Sequence, residues 1–199
     1  MFVTFEGPEG AGKSTAIAAV AKQFQCDEIS VLTTREPGAT DLGKCIRSLL
    51  LEAGPINKKA ELFLFLADRA DHVTNTIRPA LTEGLIVLCD RYMDSTMAYQ
   101  GHARGMSLDR LRELNDFATG GLEPDLTLLF DLDPEIGLAR LTNKDRLDSE
   151  SLEFHQKVRE GFLAERNRDP ERFVMIRADL PAEDVVRLCL EAIRSRLQS

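Results

Sequence analysis

Paired cysteines are missing from this chain. Cys26, Cys45, Cys89 and Cys189 are its four cysteines, no two form a C-x-x-C pair, and all stand far from His72, His102 and His155. That spacing excludes a zinc ribbon and a thioredoxin-like redox pair, and reduced thiols of a cytoplasmic protein are expected. Long hydrophobic runs are missing too. The longest, Leu62–Ala67 and Leu85–Cys89, fall far short of the roughly 20 residues of a membrane span. No basic segment opens the chain, so a secretory signal is not expected either. Positive charge is scarce: 25 Lys and Arg face 33 Asp and Glu, a net charge of −8. Phosphate backbones and anionic membranes repel such a surface, so no nucleic-acid polymer and no membrane partner is expected. A local basic pocket for one small anion stays open.

What is present is an alternating pattern. Phe2–Glu6 reads as a short strand that stops at the breakers Gly7-Pro8-Glu9-Gly10. Ile17, Val20, Ala21 and Phe24 then recur at helical spacing, and Ile29–Thr34 reads as a second strand. Leu42, Ile46, Leu49 and Leu50 mark a helix ended by Gly54-Pro55, and a long helix is expected over Lys59–Leu81. Leu85–Cys89, Leu126–Phe130 and Phe173–Ile176 are continuous apolar runs, the pattern of central parallel strands. Helical stretches separate them at Ser95–Tyr99, Leu108–Ala118, Pro134–Leu141, Leu152–Arg168 and Asp184–Leu197. The pattern predicts an α/β fold, one domain over residues 1–199, with a parallel sheet and helices on both faces. Thr142–Ser151 is the most polar and least periodic stretch and is expected to be a mobile surface loop.

Gly7-Pro8-Glu9-Gly10-Ala11-Gly12-Lys13-Ser14 fits G-x-x-x-x-G-K-[ST] between a strand and a helix. Glycines let several backbone N–H groups converge on one anion, and the helix N-terminus adds its positive end. Lys13 suits the β- and γ-phosphates, and the Ser14 hydroxyl suits Mg²⁺. The bare pattern arises by chance in about one chain in a hundred of this length, and its context lowers that further. A nucleoside triphosphate with Mg²⁺ is therefore expected. Asn143-Lys144-Asp145 imitates a guanine-reading motif, but its aspartate comes one residue early and no strand precedes it.

Further charges fall at strand ends. Arg35 closes the second strand, and Asp90-Arg91 closes the Leu85–Cys89 strand. In open parallel sheets the carboxyl ends of strands form the ligand crevice, so both arginines are candidates for a second anion. Asp90 is a candidate to orient Mg²⁺. Phe65 and Arg69, four apart on the long helix, suit a planar heterocycle with a carbonyl oxygen. Tyr92, Ser95, Thr96, Tyr99 and Gln100 add hydroxyls and an amide near the same crevice.

Four further blocks, with the phosphate loop, carry a family likeness. The segments Phe5–Thr15 (FEGPEGAGKST), Thr34–Gly38 (TREPG), Phe65–Arg69, Asp90–Gly101 (DRYMDSTMAYQG) and Asp131–Arg140 (DLDPEIGLAR) occur in order. Along essentially its whole length the chain resembles the thymidylate kinases, P-loop kinases of nucleoside monophosphates. The resemblance implies a three-layer fold with a five-stranded sheet, a short lid at about 141–151, and phosphorylation of dTMP by ATP with Mg²⁺. It implies that Gly7, Gly10, Ala11, Gly12, Lys13, Ser14 and Thr15 hold ATP, with Arg140 beside its adenine. Phe65 would stack on thymine, Arg69 would meet its carbonyl, and Arg35 and Arg91 would clamp the dTMP phosphate. Ser95, Thr96 and Gln100 would meet the base edge or pocket wall, and Tyr99 would pack where a ribose 2′-hydroxyl would sit. Glu9 would approach the nucleoside 3′-hydroxyl or the acceptor phosphate. Family members are generally dimeric, so a homodimer is expected, and the apolar helix around Leu62–Val73 has surface to spare for a partner, on a face that the sequence does not show.

The lid departs from the family pattern. Leu141–Arg146 (LTNKDR) is short and poor in arginine, so Lys144 and Arg146 are the candidates to meet the transferring phosphoryl group, with Arg146 favoured for its bidentate geometry. The expected catalytic set is Lys13, Arg91, Arg146 and Glu9. Kinases of other nucleoside monophosphates or of deoxynucleosides, and an ATP-binding regulatory module, remain alternative readings.

Overall fold

A computed structural model describes residues 1–198. Strands β1 (Phe2–Glu6), β2 (Val31–Arg35), β3 (Ile86–Asp90), β4 (Leu126–Asp131) and β5 (Phe173–Arg177) form a parallel sheet in the order β2-β3-β1-β4-β5. The helices are α1 (Lys13–Cys26), α2 (Asp41–Glu52), α3 (Lys58–His72), α4 (Arg78–Thr82), α5 (Met93–Thr96), α6 (Leu108–Thr119), α7 (Pro134–Ala139), α8 (Leu152–Arg168) and α9 (Ala182–Leu197). The parallel sheet expected from the pattern is observed, with the five strands that the resemblance implies.

Alternation along β1 divides the core. Val3 and Phe5 pack with Ile17, Val20 and Phe24 of α1 and with Val185, Cys189 and Ile193 of α9. Phe2 faces the other way, against Val73, Ile77 and Ala80. On that second face, further along the sheet, Leu129 meets Tyr99, Val158 and Phe162. β1 is buried at every residue because β3 and β4 flank it and helices cover both faces. β5 corrects its expected place: it is an edge strand, and Met175 is 39% exposed. An apolar run records burial of side chains, not the number of neighbouring strands.

The long helix also differs from expectation. α3 passes through a π-helical stretch, Val73–Ile77, before continuing as α4. Pro79 supplies the reason, since it has no N–H and its ring would clash with the carbonyl four residues back. A second π-helical stretch, Met97–Ala103, prolongs α5 past the expected end at Tyr99.

Two local devices place the ligand crevice. Gly12, at φ 84°, starts α1 with no side-chain cap, leaving the first-turn N–H groups to face the phosphate loop. Gly10 touches Gly137 of α7 backbone to backbone: a methyl at Gly10 would sit 2.0 Å from the Gly137 oxygen. No other residue fits that approach.

Candidate active site

Lys13 lies across the phosphate loop, its Nζ donating to the carbonyls of Gly7 (3.0 Å) and Pro8 (2.9 Å). Burial and the nearby Arg91 push its pKa down to about 8. Ser14 Oγ donates to Asp90 Oδ2 at 2.5 Å, so the residues expected at a metal stand together at the mouth of the loop. Both offer oxygen, the donor type a hard divalent cation requires. Gly10, Gly12 and Thr15 line a slot with Arg140, Ala178, Leu180 and Val186. Arg140 Nη1 is tied to the carbonyls of Gly10 (3.3 Å) and Ala178 (3.2 Å), which fixes it at the slot's rim. Ala11 is buried in the core beneath.

Arg91 joins this loop to a second pocket. It has φ 70°, a left-handed conformation, and its N–H donates to Phe5 O of β1. Nη1 donates to Gly7 O (3.1 Å) and Ser95 Oγ (3.2 Å), and Nη2 is ion-paired with Glu9 Oε1 at 2.6 Å. That Nη2 is buried and makes no hydrogen bond of good angle among the described residues, leaving donor capacity at the junction of the two pockets. Tyr99 OH donates to the same Glu9 oxygen at 2.6 Å. Burial alone would raise the Glu9 carboxyl, but Arg91 and Lys13 outweigh it and hold the group down to about 2. Beneath them Glu6 accepts from Tyr92 N (2.8 Å), Ser95 N (3.2 Å) and Ser95 Oγ (2.6 Å). Those bonds hold the turn that carries Arg91. Burial and the neighbouring Asp94 raise the Glu6 carboxyl to about 7.

The second pocket brings Phe65, Arg69, Arg91, Ser95, Thr96, Tyr99 and Gln100 together, with Pro37 and Leu51. Arg69 is 2% exposed and already committed to Glu36 Oε2 (2.8 Å), Thr96 Oγ1 (2.8 Å), Asn115 Oδ1 (2.6 Å) and Tyr92 O (2.9 Å). Four of its five N–H groups are thereby used. His72 braces Glu36 from behind at 3.0 Å, and Thr34 Oγ1 lies 2.6 Å from the same ring. Arg35 is exposed and lines the phosphate-loop side.

Sequence reasoning missed Arg47. It projects from α2 into both pockets, with Nη1 on Pro37 O at 3.0 Å. Burial and the charge of Arg35 lower its pKa, and Arg91 adds to the effect. Three arginines thus converge where a second phosphate would lie. A lone arginine on a helix face carries no signal of this until the fold brings Arg35 and Arg91 to it.

The 141–151 segment is not the loose loop expected. Leu147 is buried, and Asp145 Oδ1 caps a turn by accepting from Leu147 N (2.8 Å) and Asp148 N (2.9 Å). Arg146, expected beside the transferring group, is bonded instead to Glu61 Oε2 (2.7 Å) and Leu50 O (2.8 Å). Lys144 is exposed.

A phosphate loop after the central strand, an oxygen pair at its mouth and a facing cluster of arginines fit a P-loop phosphotransferase of the open parallel type. Comparison with known proteins narrows the class. The thymidylate kinase family model matches residues 5–189. A thymidylate kinase of Desulfovibrio desulfuricans is 53% identical over 210 aligned positions, covering 100% of this chain and 97% of that protein. One from Synechococcus sp. (strain JA-2-3B'a(2-13)) is 51% identical, covering 94% and 92%. The crystal structure of thymidylate kinase from Ehrlichia chaffeensis superposes with a TM-score of 0.82 at 32% identity, over 98% of both chains. The chain belongs to the thymidylate kinase family and is a phosphotransferase. Among the described residues no helix is long and apolar enough to cross a membrane.

Proposed function

We propose that the chain transfers the γ-phosphoryl group of ATP to dTMP, giving ADP and dTDP. The observation that carries this reading is Arg91, whose half-buried, ion-paired guanidinium lines both the phosphate-loop pocket and the Phe65 pocket. An acceptor phosphate at that point would meet Arg35, Arg47 and Arg91. Its oxygen is already an anion, so the reaction needs no strong general base. Glu9, held at about 2, is always ionised near neutrality and acts by fixing Arg91 and Tyr99 rather than by moving a proton. The residues' task is to hold two anions in line and neutralise the charge between them.

On the donor side Lys13 and the loop amides take the β- and γ-phosphates, and Arg140 borders the slot for adenine. Ser14 and Asp90 would hold Mg²⁺, which supplies charge neutralisation at the phosphate oxygens. On the acceptor side Phe65 stacks on the base, with Arg69, Thr96 and Gln100 on the wall. Tyr99, fixed through its hydroxyl by Glu9, fills the space beside the sugar. We place Arg146 as a strap residue rather than at the transferring group, because its Nε and Nη2 tie it to Leu50 and Glu61.

The test is product formation followed by ³¹P NMR with Mg-ATP and dTMP. Arg91→Ala should lower kcat/KM by about 10³-fold, the lower range for an arginine at a transferring phosphoryl group. Retention of activity within threefold would overturn the assignment.

A homodimer is proposed through α3 and its neighbours, on a face of the Leu62–Val73 stretch that the sequence left open. Leu62, Leu66 and Val73 turn inward, whereas Phe63 is 60% exposed and Phe117 of the adjacent α6 88% exposed. Two large exposed aromatics on packed helices suit an apolar interface. Sedimentation of Phe63→Asp/Phe117→Asp should give monomers, and an unchanged oligomer would refute this face.

A further inference from the structure

Glu61 takes no part in the proposed transfer, yet its carboxylate gathers four hydrogen bonds at 1% exposure. Oε1 accepts from Gln100 Nε2 (3.0 Å) and Arg104 Nε (2.7 Å). Oε2 accepts from Arg104 Nη2 (3.0 Å) and Arg146 Nη2 (2.7 Å). Arg104 Nη2 continues to Glu150 Oε1 at 3.0 Å. One carboxylate therefore anchors the 141–151 segment twice, directly at Arg146 in its middle and through Arg104 at Glu150 near its end. Arg146 completes the first anchor with its backbone N–H on Leu51 O (3.3 Å) and its Nε on Leu50 O (2.8 Å).

The anchored segment lines the acceptor pocket. Between its two anchors Leu147 is buried, and Asp145 and Leu147 line the pocket that also holds Phe65 and Gln100. The charge of Asp145 reaches Arg47, one of the three arginines facing the acceptor phosphate. Gln100, whose amide N–H is fixed by Glu61, stands on the same wall. Burial opposes ionisation of Glu61, but the donors from Arg104, Gln100 and Arg146 prevail and hold it below the usual carboxylate range. The anchor is thus charged at every pH at which the protein would work.

A structural ion pair needs no relation to a pocket. This one takes its donors from Gln100 of the π-helical stretch, from Arg104 that ends it and from Arg146 of the strap, and the stretch and the strap both wall one pocket. We propose that Glu61 is a positioning residue for the acceptor: it ties the 141–151 strap across the dTMP pocket and orients Gln100 on its wall. The inference rests on the reading that dTMP occupies this pocket.

The test compares Glu61→Gln, Glu61→Asp, Arg146→Met and the double variant Glu61→Gln/Arg146→Met, with Phe65→Ala alongside, measuring kcat and both KM values. Glu61→Gln should raise the dTMP KM about tenfold, the scale of one lost charge-assisted contact, and leave the ATP KM within about twofold. Glu61→Asp should recover part of the loss. Arg146→Met should raise the dTMP KM more than it lowers kcat. The double variant should be no worse than Glu61→Gln alone, because both changes break one contact. Equal rises in both KM values, or effects that multiply, would overturn the proposal. If Glu61→Gln fails to fold, Arg146→Met decides alone, and an unchanged dTMP KM there overturns it. If Phe65→Ala raises the dTMP KM and Glu61→Gln does not, Glu61 alone is refuted. If neither does, the pocket reading falls and the inference with it.

Discussion

Arg91 and Glu9 form a 2.6 Å ion pair between the end of β3 and the phosphate loop, reached by Arg91 from a left-handed backbone. The pair makes one site of two segments distant in sequence, and it fixes the protonation of Glu9. A carboxyl lowered from 4.5 to about 2 stabilises the fold fully above its unfolded value and loses that contribution as pH falls toward 2. The difference in unfolding free energy between the parent chain and Glu9→Gln should therefore be largest above about pH 5 and shrink steadily below it. Urea titrations across pH 3–7, taken as about that range, measure it, and a pH-independent difference would refute the ion-pair account.

Lys13 offers a second pH signature with the opposite chemistry. Burial and Arg91 hold it at about 8, below the ordinary 10.5. A triphosphate beside it restores the charged form, so nucleotide binding between those two values draws a proton from solution. Calorimetry of ADP binding at about pH 8.5, in two buffers of different ionisation enthalpy, should show proton uptake that vanishes near about pH 6.5 and in Lys13→Met. Equal uptake in the variant would assign the proton to another group.

Phe65 is half-buried on the acceptor wall, with its ring available to a base. Phe65→Ala should weaken dTMP binding by about 1–3 kcal/mol and leave ATP binding unchanged. Loss of thermal stability with unchanged dTMP affinity would make the ring a packing residue.

Gly137 supports the phosphate loop from α7. A methyl there would stand 2.1 Å from the Glu9 carbonyl, a distance that backbone cannot accommodate without moving. Gly137→Ala should raise the ATP KM more than the dTMP KM, since the displaced segment is the nucleotide loop. A variant with parental kinetics would show that this contact tolerates displacement.

The parts legible in sequence are those whose geometry is local. The phosphate loop is contiguous, so glycine spacing, Lys13 and Ser14 announce it directly. The parallel sheet follows from apolar runs alternating with helical periods, but the edge position of β5 does not, because Phe173–Ile176 reads like a central strand. The π-helical stretch before Pro79 depends on a helix that packing carries through a proline. Arg47 and Glu61 escaped notice for one reason. Each is an ordinary charged residue on an amphipathic helix until the chain folds Arg35 and Arg91, or Gln100 and Arg146, against it. The polar stretch 141–151 looks solvated because its anchors lie on other elements, and only Leu147 hints that it packs.

The most direct test of the account is ADP release with Mg-ATP against dTMP, dUMP, UMP, CMP, AMP and GMP, with a control lacking any acceptor. Turnover should be strong with dTMP, weaker with dUMP and near background with the ribonucleotides and the control, if, as proposed, Phe65 stacks on the base and Tyr99, tied to Glu9, stands where the ribose hydroxyl would be. Preference for another acceptor, or ADP release that no acceptor enhances, would contradict it.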